Sequence, residues 1–410
     1  MSTGDLAHSG LAALPLICYR KKLLCAVRKR RKVFHKPMPR KRGQSRYFQP
    51  VHILIVKTSA IGDVIHTLPA LHSLRRHYPQ AHITWLIEEA AADIVAGHPE
   101  LDRLLVSKRK RWVQALRRGP NRLQAWRELW AFIRELRDTR YDLLIDFQGL
   151  LKSGMLVAVS RAVRKVGFGR GMEHAECSYL FLNEKVPPVD MNIHAVEREL
   201  MLLAGIGIKT DEVVFHLPIS RDHFRQVESL LRARGVADPS RVVPINPVAT
   251  WPTKLWDNAG FAQVADWVSG QGRQVVFTGG RGDKPVIDDI IRRMHHPAVN
   301  LAGETTLKTL AALYRMAPLV ISTDTGPMHL AAAVGTPVVA VFGSTAPWRT
   351  GPYGERHQVV RLDLPCGPCL KRECDHRRCM NNLAPELVIS AVKRLLAQPA
   401  AVSSVSTKPL

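Results

Sequence analysis

From residue 51 onward, short unbroken apolar runs alternate with longer stretches whose apolar residues recur every three or four positions. Val51–Val56, apolar but for His52, predicts a buried strand, and the small and polar residues Lys57–Asp63 after it predict a loop. Val64, Leu68, Leu71 and Leu74 then keep helical spacing. His82–Ile87 predicts a second strand, followed by a helix over about 89–96. Leu104–Val106 and Leu143–Ile145 predict two more strands around a basic helical block. The pattern restarts beyond Pro187-Pro188 and the stretch 237–240. Val242–Ile245, Val275–Thr278, Leu319–Ile321 and Val338–Phe342 each run into a loop of small and polar residues. Strands alternating with helices predict parallel sheets with helical crossovers. Two such series in succession predict an α/β enzyme of two doubly wound domains facing across a cleft. The divisions predicted are a basic extension over 1–50, domains over 51–225 and 226–385, and a C-terminal helix and tail over 386–410.

Composition sharpens this picture. With 410 residues, 46% hydrophobic and 23% charged, the chain suits a soluble protein too long for one core. No apolar run approaches the roughly 20 residues a membrane span needs. In Leu11–Tyr19 the charges follow the apolar stretch, the reverse of a signal peptide, so a cytoplasmic location is expected. The net charge of +24 is uneven: residues 1–50 hold 13 Lys or Arg against Asp5 alone. A second basic block spans Arg103–Arg140, with Lys108, Arg109, Lys110 and Arg111 at its head. Such excess calls for polyanionic company: nucleic acid, an anionic membrane surface or a phosphorylated substrate. The extension reads either as a solvated tail or as a membrane-surface segment, since Leu11–Tyr19 and Leu23–Val27 interleave with its charges.

Three loops carry candidate chemistry. Asp63, directly after Gly62 at the end of the first strand, is placed to be a general base or a cap on the following helix. In the loop 246–256, Thr250 and Lys254 suit a pyrophosphate, or belong to an ordinary surface loop. Asp324, Thr325 and Gly326 precede an Ala-rich helix whose free N–H groups make an anion site, and both Asp324 and Thr325 suit plain caps as well. His329 lies one turn further on, where a histidine is more often packed than reactive. Seven cysteines are present, and Cys366, Cys369, Cys374 and Cys379 are spaced Cys-x2-Cys-x4-Cys-x4-Cys. That spacing is compatible with structural zinc or an iron–sulfur cluster, or with half-buried thiols in a loop remote from Asp63.

The segments Ile55–Ala70, Asp146–Ser153, His194–Arg198 and Ser322–His329, in that order, resemble the ADP-heptose:lipopolysaccharide heptosyltransferases of glycosyltransferase family 9. The likeness covers roughly residues 51–397 and is closest to the heptosyltransferase I branch. It implies the GT-B fold, two Rossmann-like domains across a cleft. It also implies transfer of heptose from an ADP-sugar to Kdo-lipid A or the inner core of lipopolysaccharide, at the inner face of an anionic inner membrane. On this resemblance Asp63 is the base of an inverting displacement. Thr250, Lys254, Asp324, Thr325, Gly326 and His329 hold the donor. Asp283 stands in for the family's ribose-binding Glu. Ser59, Gly62, His66, Gln148 and Lys152, with Arg109 and Arg111, meet the acceptor. No cofactor is required by this reading, and no nucleic acid is expected. A nucleic-acid-binding protein is the rival of another class, but no recognised motif supports it and aromatics are not interleaved with the charges. A nicotinamide oxidoreductase would need a Gly-x-Gly-x-x-Gly after the first strand, which is absent.

Overall fold

The computed structural model of the chain describes residues 50–172 and 176–398. The basic extension falls outside them, apart from residue 50. Its first half runs β1 (His52–Val56), α1 (Ile61–His77), β2 (His82–Glu88), α2 (Glu89–Val95), β3 (Arg103–Ser107), α3 (Arg109–Arg118), α4 (Arg122–Arg137), β4 (Tyr141–Asp146), α5 (Leu151–Val159), β5 (Ala162–Phe168), β6 (Glu184–Val186) and α6 (Ala195–Gly205). The second runs α7 (Arg221–Ala233), β7 (Val242–Asn246), α8 (Asn258–Gly270), β8 (Gln274–Phe277), α9 (Lys284–Arg292), β9 (Val299–Asn300), α10 (Leu307–Met316), β10 (Val320–Thr323), α11 (Gly326–Ala333), β11 (Val338–Val341), α12 (Pro347–Thr350), β12 (Gln358–Val360), α13 (Arg378–Asn381) and α14 (Pro385–Leu396).

Each half is a six-stranded parallel sheet, ordered β3-β2-β1-β4-β5-β6 and β12-β11-β10-β7-β8-β9. The central strands read as continuous apolar runs because both of their faces are covered, leaving no solvent side to demand a polar alternation. Strand order reverses between β1 and β4 and again between β7 and β10, and crevices open beyond the strand ends at such reversals. The two doubly wound sheets bear out the expected GT-B architecture. Helix α7 runs through residues 225 and 226, where the sequence reading divides the domains, and packs on α10 of the second half. The connection between the halves is therefore the stretch 206–220.

One apolar core is shared by the halves. It joins Ile65 and Leu68 of α1 to Met328 and Leu330 of α11, while separate cores fill the outer faces of the two sheets. Two glycines permit this approach. A Cβ on Gly62 would lie 2.4 Å from the His329 ring, and one on Gly326 would lie 2.8 Å from Ile61. Among the described residues, no helix is long and apolar enough to cross a membrane.

Candidate active site

Both strand-order reversals open onto one cleft of about 730 Å³. On the first side, β1 ends in the loop 57–60 and β4 in the loop 147–150. The Gln148 side-chain oxygen accepts from the Thr58 N–H at 2.9 Å, the Thr58 hydroxyl at 3.0 Å and the Ser59 N–H at 2.9 Å. One amide thus bolts the two loops together. Beneath them Lys57 donates to Glu199 at 2.6 Å and to the Phe147 carbonyl at 3.0 Å. Burial works against the Lys57 charge, yet the adjoining Glu199 carboxylate holds its pKa above the ordinary lysine value. Burial also pushes Asp146 up to about 6, although the Gly149 and Gln148 N–H groups and the Ser153 hydroxyl donate to it. On this frame Asp63 reaches the cleft wall, and its carboxylate accepts the Ala60 N–H at 2.9 Å. It therefore braces the first turn of α1 and faces the cleft at once.

The second side is built from the loops after β7 and β10. Lys254 meets Asp324 at 2.7 Å, and the Thr345 hydroxyl donates to the same carboxylate oxygen at 2.5 Å. Asp324 is 3% exposed and makes no capping contact, so its carboxylate orients the lysine. Thr325 occupies the cap position of α11 without a side-chain cap bond. Thr250, Thr325 and Gly326 line the cleft beside Lys254. The Lys254 ammonium lies 4.7 Å from the Trp251 ring centre, and the Arg372 guanidinium 5.0 Å from it.

At the seam between the halves, the His66 and His329 rings meet at 3.1 Å, with His194 5.4 Å from His66 between ring centres. Burial lowers all three, His329 to about 4, so they sit neutral against one another.

Of the residues singled out from sequence, Ser59, Gly62, Asp63, His66, Thr250, Lys254, Asp324, Thr325, Gly326 and His329 line this cleft. Gln148 and Lys152 stand behind it. Lys152 donates to Ser59 at 2.5 Å and meets Glu88 at 3.4 Å, and Arg109 donates to Glu88 at 3.0 Å. Arg111 turns away to Glu128 at 3.8 Å, and its neighbour Lys110 lines the cleft instead. Asp283 folds back to accept the Gly280 N–H at 2.8 Å and does not line the cleft, because the turn it caps takes up its carboxylate. Glu88 and the Lys57–Glu199 pair escaped the sequence reading. Glu88 looks like a strand's last polar residue, and Lys57 and Glu199 lie too far apart for any local pattern.

Cys366, Cys369, Cys374 and Cys379 are free thiols, and Cys374 faces His376 at 3.7 Å. Among the described residues, no three His, Cys, Asp or Glu side chains are grouped to hold a metal ion. The loop of these four cysteines is docked on the second side of the cleft. Thr253 donates to the Lys371 carbonyl at 2.7 Å, Arg377 to the Pro252 carbonyl at 3.2 Å, and Leu370 lines the cleft. The segment thus lies against the wall of the cleft opposite Asp63.

The model of glycosyltransferase family 9 (heptosyltransferase) matches residues 129–380. Lipopolysaccharide heptosyltransferase 1 of Pseudomonas aeruginosa is 30% identical over 372 residues, which are 85% of this chain and 99% of that protein. Lipopolysaccharide heptosyltransferase 3 of Escherichia coli is 29% identical over 358 residues, 83% of this chain and 96% of that protein. Among solved structures, the Escherichia coli heptosyltransferase WaaC with ADP is 25% identical at a TM-score of 0.68, covering 84% of this chain and all of that one. With two doubly wound sheets, a shared cleft and this agreement along its length, the chain belongs to glycosyltransferase family 9, the heptosyltransferases.

Proposed function

We propose that this glycosyltransferase moves heptose from ADP-L-glycero-D-manno-heptose onto the Kdo region of the lipopolysaccharide inner core, with inversion at the anomeric carbon. The observation that carries the reading is the placement of Asp63 and Lys254 on opposite walls of one cleft, each at a strand-order reversal. Asp63 takes the proton of the acceptor hydroxyl as its oxygen bonds to the anomeric carbon, and the bond to ADP breaks. The departing diphosphate gains negative charge. Lys254 and the N–H groups at the start of α11 face that charge, and such preorganised donors stabilise the transition state more than the ground state. Lys110 lines the cleft on the acceptor wall, with Arg109 and Lys152 held beside it by Glu88, where they suit the carboxylates and phosphates of an inner-core acceptor. Because that acceptor is carried by a lipid, the enzyme works at the surface of an anionic inner membrane.

The test is a donor screen with purified protein and Kdo-lipid A, read by mass spectrometry. ADP-heptose should yield an acceptor heavier by one heptosyl residue, with ADP released in equal amount. Transfer from another nucleotide sugar alone would replace the donor assignment, and no transfer from any donor would overturn the reading.

A further inference from the structure

Helix α4 has a second face that the fold does not use. Its inner face, Ala125, Phe132 and Leu136, packs in the core on the outer side of the first sheet. Leu123, Trp126, Arg127, Trp130 and Arg134 follow one another at helical spacing on the opposite side. Leu123 is 76% exposed, Trp126 50% and Trp130 61%. A solvated helix carries charged or small residues there, and large apolar groups gathered on one exposed stripe mark an interaction surface. Tryptophans interleaved with arginines correct the sequence expectation that aromatics and charges stay apart in this chain. Helix α3 packs alongside through Trp112 and Phe132, with ring centres 5.2 Å apart, and exposes Lys110, Val113 and Arg117. Residues 109–137 hold nine basic side chains against Glu128 and Glu135.

We propose that the Leu123–Trp126–Trp130 stripe of α4 is the surface on which this enzyme rests on an anionic lipid bilayer. The proposal rests on the reading above that the acceptor is lipid-borne. Indole rings combine an apolar body with an N–H donor and settle at the headgroup level, while the surrounding arginines meet lipid phosphates. A convex helix face also suits a lipid surface better than a single-stranded nucleic acid, which needs a groove that follows its backbone. Helix α3 starts at the cleft wall, where Lys110 lines the cleft and Arg109 bonds to Glu88, and its 10 residues extend about 15 Å from there. An acceptor anchored in the bilayer under α4 would present its sugars at the Asp63 side.

The experiment is flotation of the full-length protein with vesicles of equal phosphatidylglycerol and phosphatidylcholine, beside phosphatidylcholine alone. Wild type should float with the anionic vesicles only, and less so at high salt. The variant Leu123→Ser/Trp126→Ser/Trp130→Ser should lose at least about tenfold in partition, as should Arg127→Glu/Arg134→Glu. Both should keep the wild-type melting temperature and transfer rate on a deacylated, soluble acceptor. Partition equal to wild type in the triple variant overturns the proposal. So does a wild-type dimer that the triple variant turns into a monomer, which makes the stripe a contact between copies, or a single-stranded oligonucleotide that quenches Trp126 and Trp130 fluorescence at micromolar concentration. If wild type fails to glycosylate even the soluble acceptor while vesicle binding follows the stripe, the activity assignment has failed and the membrane surface stands.

Discussion

On the first half's side of the cleft, the loop leading to Asp63 is held by three hydrogen bonds to one Gln148 oxygen and by the buried Lys57–Glu199 pair beneath it. On the second half's side, Lys254 is held by an ion pair to Asp324, itself fixed by Thr345, and by a cysteine-bearing loop laid against residues 252 and 253. The first arrangement ties the loop's backbone to one side-chain amide and leaves a carboxylate little freedom. The second holds a flexible side chain by a charge that a diphosphate can compete for. A base must meet one hydroxyl in one geometry, whereas a cation has to follow charge that moves onto a leaving group. The difference between the walls matches that division of labour.

The comparison breaks most visibly at Lys57. Lys57→Met should destabilise the protein by about 3–5 kcal/mol in chemical denaturation, because it leaves Glu199 buried and unpaired. Lys57→Met/Glu199→Leu should recover much of the loss. Lys254→Ala should still fold, with a lower melting temperature because Asp324 loses its cation, and should lose about 10²–10³-fold in kcat and bind ADP more weakly in titration calorimetry. A thousandfold loss with unchanged ADP affinity would mean that Lys254 acts on the chemistry alone.

Acidification strikes the seam between the walls. His329 packs on Gly62 and faces His66, His194, Asp324, Asp63 and Lys254. Its pKa is depressed to about 4 by burial, so the unfolded chain binds its proton more readily between pH 6.5 and 4. Stability present above pH 6.5 should fall as the pH drops through that window, by up to about 3 kcal/mol from this residue. Melting curves from pH 7 to 4 check it. The smallest effect sharpens the account: Gln148→Ala should cost about tenfold in kcat, roughly 1.4 kcal/mol, with donor KM unchanged.

Much of the fold is legible in the sequence because a doubly wound sheet hides its central strands on both faces. Ile53–Val56 and Val338–Phe342 show as unbroken runs for that reason. Strands at a sheet edge, or next to one, lack that cover. β5, whose Arg164 and Lys165 interrupt the run, and the three-residue β6 and β12 carry no such signature. Asp63, Lys254 and Asp324 are legible because strand-end loops at order reversals are where ligands bind. Asp283 caps its own turn, a role that a carboxylate three residues beyond a glycine serves as well as a ligand contact, so the sequence pattern does not separate the two. What supports the site is the least legible part. Gln148 reaches Ser59 across 89 residues and Thr253 reaches Lys371 across 118, contacts that local pattern does not encode.

The central claim is that the first wall holds a base and the second holds the donor, and Asp63→Asn tests it most directly. The amide keeps the shape and can still accept the Ala60 N–H, so the fold and the second wall are untouched. Single-turnover transfer should fall by about 10²–10⁴-fold while the ADP dissociation constant stays at the wild-type value. A rate within a few-fold of wild type, or an ADP affinity that falls along with the rate, would contradict the account.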